Sequence, residues 1–137
     1  MTKRRESREQ AFTLLFEKTV TGDSMEDIIE MAKEARDVVI DPYCEKLTAL
    51  TELYLDEIDH TIEENLRGWS LRRLSKMTLT ILRVAVCEMQ FMQADDVPVS
   101  VSINEAVELA KLYGEDESFK FVNAILDAIA KKAARDE

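Results

Sequence analysis

The chain has 137 residues, 46% hydrophobic and 34% charged, and its 28 Asp+Glu against 18 Lys+Arg give a formal net charge of −10 at pH 7. That length fits one domain, or two small helical lobes sharing a core, and the apolar fraction is far from disordered composition. Three Gly and two Pro are too few for a many-stranded sandwich or barrel, and the acidity argues against a general nucleic-acid coat or a polybasic membrane binder.

The predicted elements are all helices. Residues from about Thr2 to Thr19 form the first, with Ala11, Phe12, Leu15 and Phe16 on one side. Thr21-Gly22-Asp23 breaks it, and Ser24 with Asp27 resembles a capping pair opening a second helix through about Val38. Asp41-Pro42 starts a third, an N-cap acceptor followed by a proline that tolerates the first helical position. Its stripe is Leu47, Leu50, Tyr54, Ile58, Ile62 and Leu66, and Gly68 closes it. After Trp69, residues Leu71 to Met92 read as helical with a break or bend near Ser75, the broad apolar arc predicting burial on more than one side. Beyond the Asp95-Asp96-Val97-Pro98 loop, Ser102 and Glu105 fit a capping box for a helix ending at Gly114, with a slightly earlier start left open. The last helix runs from about Asp116 to Ala134 along Phe119, Val122, Ile125, Leu126 and Ile129. The fold class is therefore all-α, a bundle of six or seven helices.

Several chemistries drop out. His60 is the only histidine, Cys44 and Cys87 stand far apart, and no GxxxxGK[ST] or GxGxxG occurs, which argues against a zinc site, a Ser/His/Asp triad and a phosphate-cradling loop. The acid pairs sit in turns and caps, where acids are expected, so catalysis is not indicated. A polar N-terminus and the lack of any long apolar run predict a cytoplasmic protein with reduced thiols.

Charge is unevenly spread. Lys3, Arg4, Arg5 and Arg8 against Glu6 give +3 over the first eight residues, leaving −13 on the other 129. Such a cluster can hold successive phosphates by charge-assisted hydrogen bonds, or simply solubilise a frayed end. Phe121 lies about 100° around its helix from Val122, beside Lys120. It is suited either to stacking an unpaired base or to a second helix contact. Phe12 and Phe16, one turn apart, serve the core, a docked partner, or both. Arg67, Arg72, Arg73 and Lys76 form a second positive cluster around Trp69.

The run VPVSVSINEAVELAKLYGEDESFKFVNAILDAI resembles the C-terminal signature of the NusB family of transcription antitermination factors. WSLRRLSKMTLTILRVAVCEM is similar to that family's central segment, and KRRESREQAFTLLF to its arginine-rich opening helix. The resemblance implies one all-α domain of two helical subdomains, about 1–68 and 69–137, with no enzymatic activity and no cofactor. It implies binding to single-stranded boxA RNA of ribosomal operons together with the small-subunit ribosomal protein NusE, acting indirectly on the RNA polymerase elongation complex. The matching RNA positions are Lys3, Arg4, Arg5, Arg8, Asn104, Glu105, Lys111, Glu117, Lys120 and Phe121, with Asn104 and Glu105 as readers of base edges. The matching partner positions are Phe16 and Thr78, with Phe12 beside them. The chain departs from the family pattern at Ala124, where a glycine is usual, at Thr78-Leu79, at Cys87, and at Glu6 within the basic run. A protein-only adaptor or homodimeric scaffold with an acidic binding surface is the alternative, and the sequence leaves monomer and homodimer open.

Overall fold

The computed structural model describes residues 4–68 and 70–135; the expectations placed on Lys3 and Trp69 lie outside the described residues. Seven α-helices occur among them: α1 (Arg4–Thr21), α2 (Met25–Arg36), α3 (Pro42–Leu53), α4 (Leu55–Glu64), α5 (Lys76–Phe91), α6 (Val99–Tyr113) and α7 (Ser118–Arg135). Single 3-10 turns at Leu71–Arg73 and Gln93–Asp95 flank α5.

Local chemistry explains most helix ends. Ser24 accepts the Asp27 N–H at 3.1 Å to open α2, and Asp41 accepts the Cys44 N–H at 2.8 Å to open α3, with Pro42 in the first turn. Asp41 also takes the Ser7 hydroxyl, tying α1 to the start of α3. Ser75 caps α5 by accepting the Thr78 N–H at 3.1 Å, so the expected break or bend is a helix boundary. Gly68, after α4, has φ +78°, a left-handed conformation that a side chain would strain.

Two expectations are corrected. The third helix is two: Tyr54, at φ −107° and ψ 24°, separates α3 from α4. The bend is shallow, because Tyr54 still donates to the Leu50 carbonyl and Ile58 to the Tyr54 carbonyl. The Tyr54 ring stacks on Phe91 at 4.1 Å, which fixes the bend against α5. The second correction concerns the capping box: of the two starts left open for α6, the earlier one, at Val99, is the one adopted. Pro98, with φ already at −60°, sets the first turn, and its carbonyl accepts from Val101 and Ser102. Ser102 is buried inside the helix and Glu105 is buried by arginines, so neither caps.

The core is one continuous cluster with α5 at its centre, packed against α1, α3, α4, α6 and α7. Leu47, Ile58, Ile62, Ile81, Leu82 and Leu126 are fully buried within it, each contributing roughly 1.5–3 kcal/mol. Thr80, Val84, Ala85, Val86 and Cys87 are buried on several sides of α5, as its broad apolar arc predicted. Ala124 lies exposed within α7, where alanine favours the helix over glycine by about 1 kcal/mol. Arg67, Arg72, Arg73 and Lys76 are all exposed, before and around the start of α5.

Candidate nucleic-acid interface

The first turns of α1 carry three arginines with different fates. Arg8 is buried, and its Nε donates to both oxygens of the equally buried Glu88 at 2.9 and 2.7 Å. A further donor nitrogen of Arg8 reaches Glu105 on α6 at 3.4 Å. Arg5 grips the same Glu105 with Nε at 3.0 and 3.1 Å and a second nitrogen at 2.6 Å, while its own side chain stays 65% exposed. Arg4 is exposed and lies over the Tyr43 ring, 4.2 Å from its centroid. Tyr43 donates its hydroxyl to Glu88. The result is a chain of contacts from α3 through α5, α1 and α6, ending in two exposed guanidinium groups.

The electrostatics follow from these contacts. The hydrogen bonds from Arg5 hold the Glu105 carboxyl below the usual carboxylate range, against the opposite pull of burial, with the charges of Arg5 and Arg8 assisting. The same bonds raise Arg5. Burial, then the bond to Glu88, pushes the Tyr43 phenol well above its ordinary value, so it stays a neutral donor. Charge-assisted and bidentate bonds of this kind fix side-chain geometry more firmly than neutral ones.

A second group sits at the corner of α6 and α7. Lys111 lies over the Phe119 ring at 5.3 Å and pairs with Glu108 at 3.7 Å. Glu117, held at φ +62°, pairs with the exposed Lys120 at 3.0 Å. Phe121 is half-buried, one edge packed on the core. Tyr113 connects this corner to α1, its hydroxyl on Glu9 and its ring 5.2 Å from Phe12. A cleft of about 240 Å³ opens between α1 and α6, lined by Arg5, Glu105, Glu108, Leu109 and Leu112 among others.

The expected site residues thus divide. Arg4, Arg5, Asn104, Lys111, Glu117 and Lys120 are presented to solvent. Arg8 is buried and enclosed by Glu88 and Glu105. Glu105 spends both oxygens on Arg5 and Arg8. Phe12 is buried between Phe16 and Tyr113, and Thr78 is buried at the start of α5. Of the expected partner residues only Phe16 keeps a part-exposed edge.

Tyr43, Glu88 and Tyr113 complete the network without having been expected there. One had a signal: Glu88 is the only acid between Glu64 and Asp95, in the last turn of an apolar helix, where an unpaired buried carboxylate would be costly. Among the described residues no group of His, Cys, Asp and Glu is placed to hold a metal, and no helix is long and apolar enough to cross a membrane.

Fold and site together define a compact all-α binding domain, acidic in its body, with exposed cations braced by buried ion pairs. The sequence model of the NusB family matches residues 5–131. The transcription antitermination protein NusB of Clostridium novyi (strain NT) is 42% identical over 132 residues, covering 93% of this chain and 98% of the relative. A NusB structure from T. maritima is 37% identical with a TM-score of 0.83, covering 95% of this chain and 92% of that one. A crystal structure of the antitermination factors NusB and NusE in complex with double-stranded RNA includes a chain of TM-score 0.83 and 27% identity, covering 94% and 96%. The chain belongs to the NusB family.

Proposed function

We propose that the chain is a transcription antitermination subunit that binds boxA-type single-stranded RNA of ribosomal operons together with ribosomal protein NusE. It acts in the cytoplasm as a binding factor without catalysis, and reaches the RNA polymerase elongation complex through the assembled RNA–protein complex. The observation that carries the reading is the pair Arg4 and Arg5. Both are exposed, and they rest on the half-buried Tyr43 of α3 and the buried Glu88 and Glu105 of α5 and α6, in a chain whose net charge is −10. Membership of the NusB family, and the RNA and NusE present with the structural relative, support it.

In this reading Arg4, Arg5, Lys111 and Lys120 neutralise phosphates, the free edge of Phe121 stacks a base, and Asn104 offers its amide to base edges. The half-exposed edge of Phe16, stacked 6.1 Å from Phe12, is the docking point for NusE. Phe12 and Thr78 shape that surface from beneath.

The test is a gel shift and an anisotropy titration with boxA-type RNA, with and without NusE, over a range of salt. Four phosphate contacts predict a slope of log K against log salt near about −2.8. Phe121→Ala is expected to weaken RNA binding by ~1–3 kcal/mol. Absence of any RNA shift, with NusE present, would replace this reading by the adaptor or homodimeric scaffold.

A further inference from the structure

The cationic row does not stop at α1. Lys46 stands one turn after Tyr43 on α3, so the two share a face of that helix. Its ammonium pairs with the Asp95 carboxylate at 2.7 Å and remains 46% exposed. Arg4 approaches the same residue from the other side, donating to the Asp95 main-chain carbonyl at 3.2 Å. Arg4 is seated on the Tyr43 ring. Asp95 therefore bridges a cation from α1 and a cation from α3. Arg5, Arg4 and Lys46 follow one another across the molecular surface, each held by a different acceptor or ring: Glu105, Tyr43 and Asp95.

We infer that α3 forms part of the RNA face, with Lys46 supplying a phosphate contact next to Arg4 and Asp95 acting as the counter-ion that RNA displaces. The inference rests on the RNA-binding reading above and extends the path of the strand beyond the α1, α6 and α7 positions. The chemistry is simple. A phosphodiester oxygen and the Asp95 carboxylate compete for the same ammonium, and the exposed pair is weak enough for exchange. Lys46 binds phosphate as a point charge, adding affinity with no choice of base.

Signs and controls make the test decisive. Lys46→Gln is expected to shrink the salt slope by about 0.7, which is a difference of about 2.6-fold in how far affinity falls over a fourfold rise in salt. The loss should be the same for different RNA sequences. Asp95→Asn, which frees Lys46 while retaining the carbonyl that Arg4 uses, is expected to raise RNA affinity. Lys131→Gln is the matched control: it breaks an exposed pair with Asp127 at 3.0 Å, about 15 Å along α7 from Phe121, and should leave the slope unchanged. All variants should melt with the wild type. If Lys46→Gln behaves as Lys131→Gln while the wild type binds RNA, the α3 contact is wrong and the functional reading stands. If Asp95→Asn lowers affinity with the fold intact, the counter-ion role is wrong. If the wild type binds no RNA with NusE present, the functional reading itself falls and takes this extension with it.

Discussion

Replacing Glu88 by alanine tests the brace beneath the exposed arginines. Glu88 is buried and accepts two hydrogen bonds from Arg8 Nε, at 2.9 and 2.7 Å, and one from the Tyr43 hydroxyl. Its removal leaves the Arg8 guanidinium, with 5% of its side chain exposed, facing only Glu105 at 3.4 Å, a carboxylate already shared with Arg5. Breaking a buried pair from one side costs about 3–5 kcal/mol, because the surviving charge is uncompensated. The orphaned phenol adds about 1 kcal/mol or more, and the residual Glu105 contact offsets part of the total. A net loss of about 3 kcal/mol is expected, a fall in Tm of roughly 12 °C for a chain of this size. Thermal denaturation followed by far-UV circular dichroism reads it directly. The double change Arg8→Met with Glu88→Leu removes both charges and should recover much of the loss. A Glu88→Ala variant within about 1 kcal/mol of wild type would refute the reasoning, since Arg8 would then need no buried partner.

Three further outcomes follow from particular contacts. Glu105 has its folded carboxyl lowered by Arg5, so its stabilisation is present above the ordinary carboxylate value and is lost as pH falls through the lower folded value. Glu105→Gln should flatten that part of the acid limb in denaturant melts, and an unchanged limb would contradict the assignment. Burial pushes the Cys44 thiol up to about 12 and the Cys87 thiol up to about 11, so native protein at mildly alkaline pH should react with a thiol reagent only as fast as it opens; immediate labelling of both would count against a shared buried core. Gly114 sits where a Cβ would lie 2.7 Å from the Ala110 carbonyl oxygen. Gly114→Ala should therefore cost about 1–3 kcal/mol through forced displacement at the α6–α7 corner, measured by urea denaturation, and a neutral effect would mean that the corner yields freely.

The helices were legible in the sequence because their signals are local. Ser24, Asp41 and Ser75 lie within three residues of the N–H groups they cap, and the apolar stripes repeat within each helix. The start of α6 misled for the same reason: Ser102 and Glu105 have capping spacing, but a distant α1 claims Glu105 through Arg5 and Arg8. The cationic tip was visible as composition. Its division into bracing and presenting arginines was not, because Arg5 and Arg8 differ only in which helix packs over them. Separations of 80 residues for Arg8 to Glu88 and 100 for Arg5 to Glu105 leave no trace in spacing. The lone acid at Glu88 hinted at a buried partner, although the sequence alone did not say which cation would fill it.

In the proposed function Arg4 and Arg5 are the exposed contacts to RNA, with Arg8 paired beneath them. The most direct measurement is the salt dependence of boxA-type RNA affinity, in the presence of NusE, for a variant carrying Arg4→Gln and Arg5→Gln. A slope smaller by about 1.4 than that of the wild type is expected. A double variant that binds RNA with the wild-type slope and affinity would contradict it.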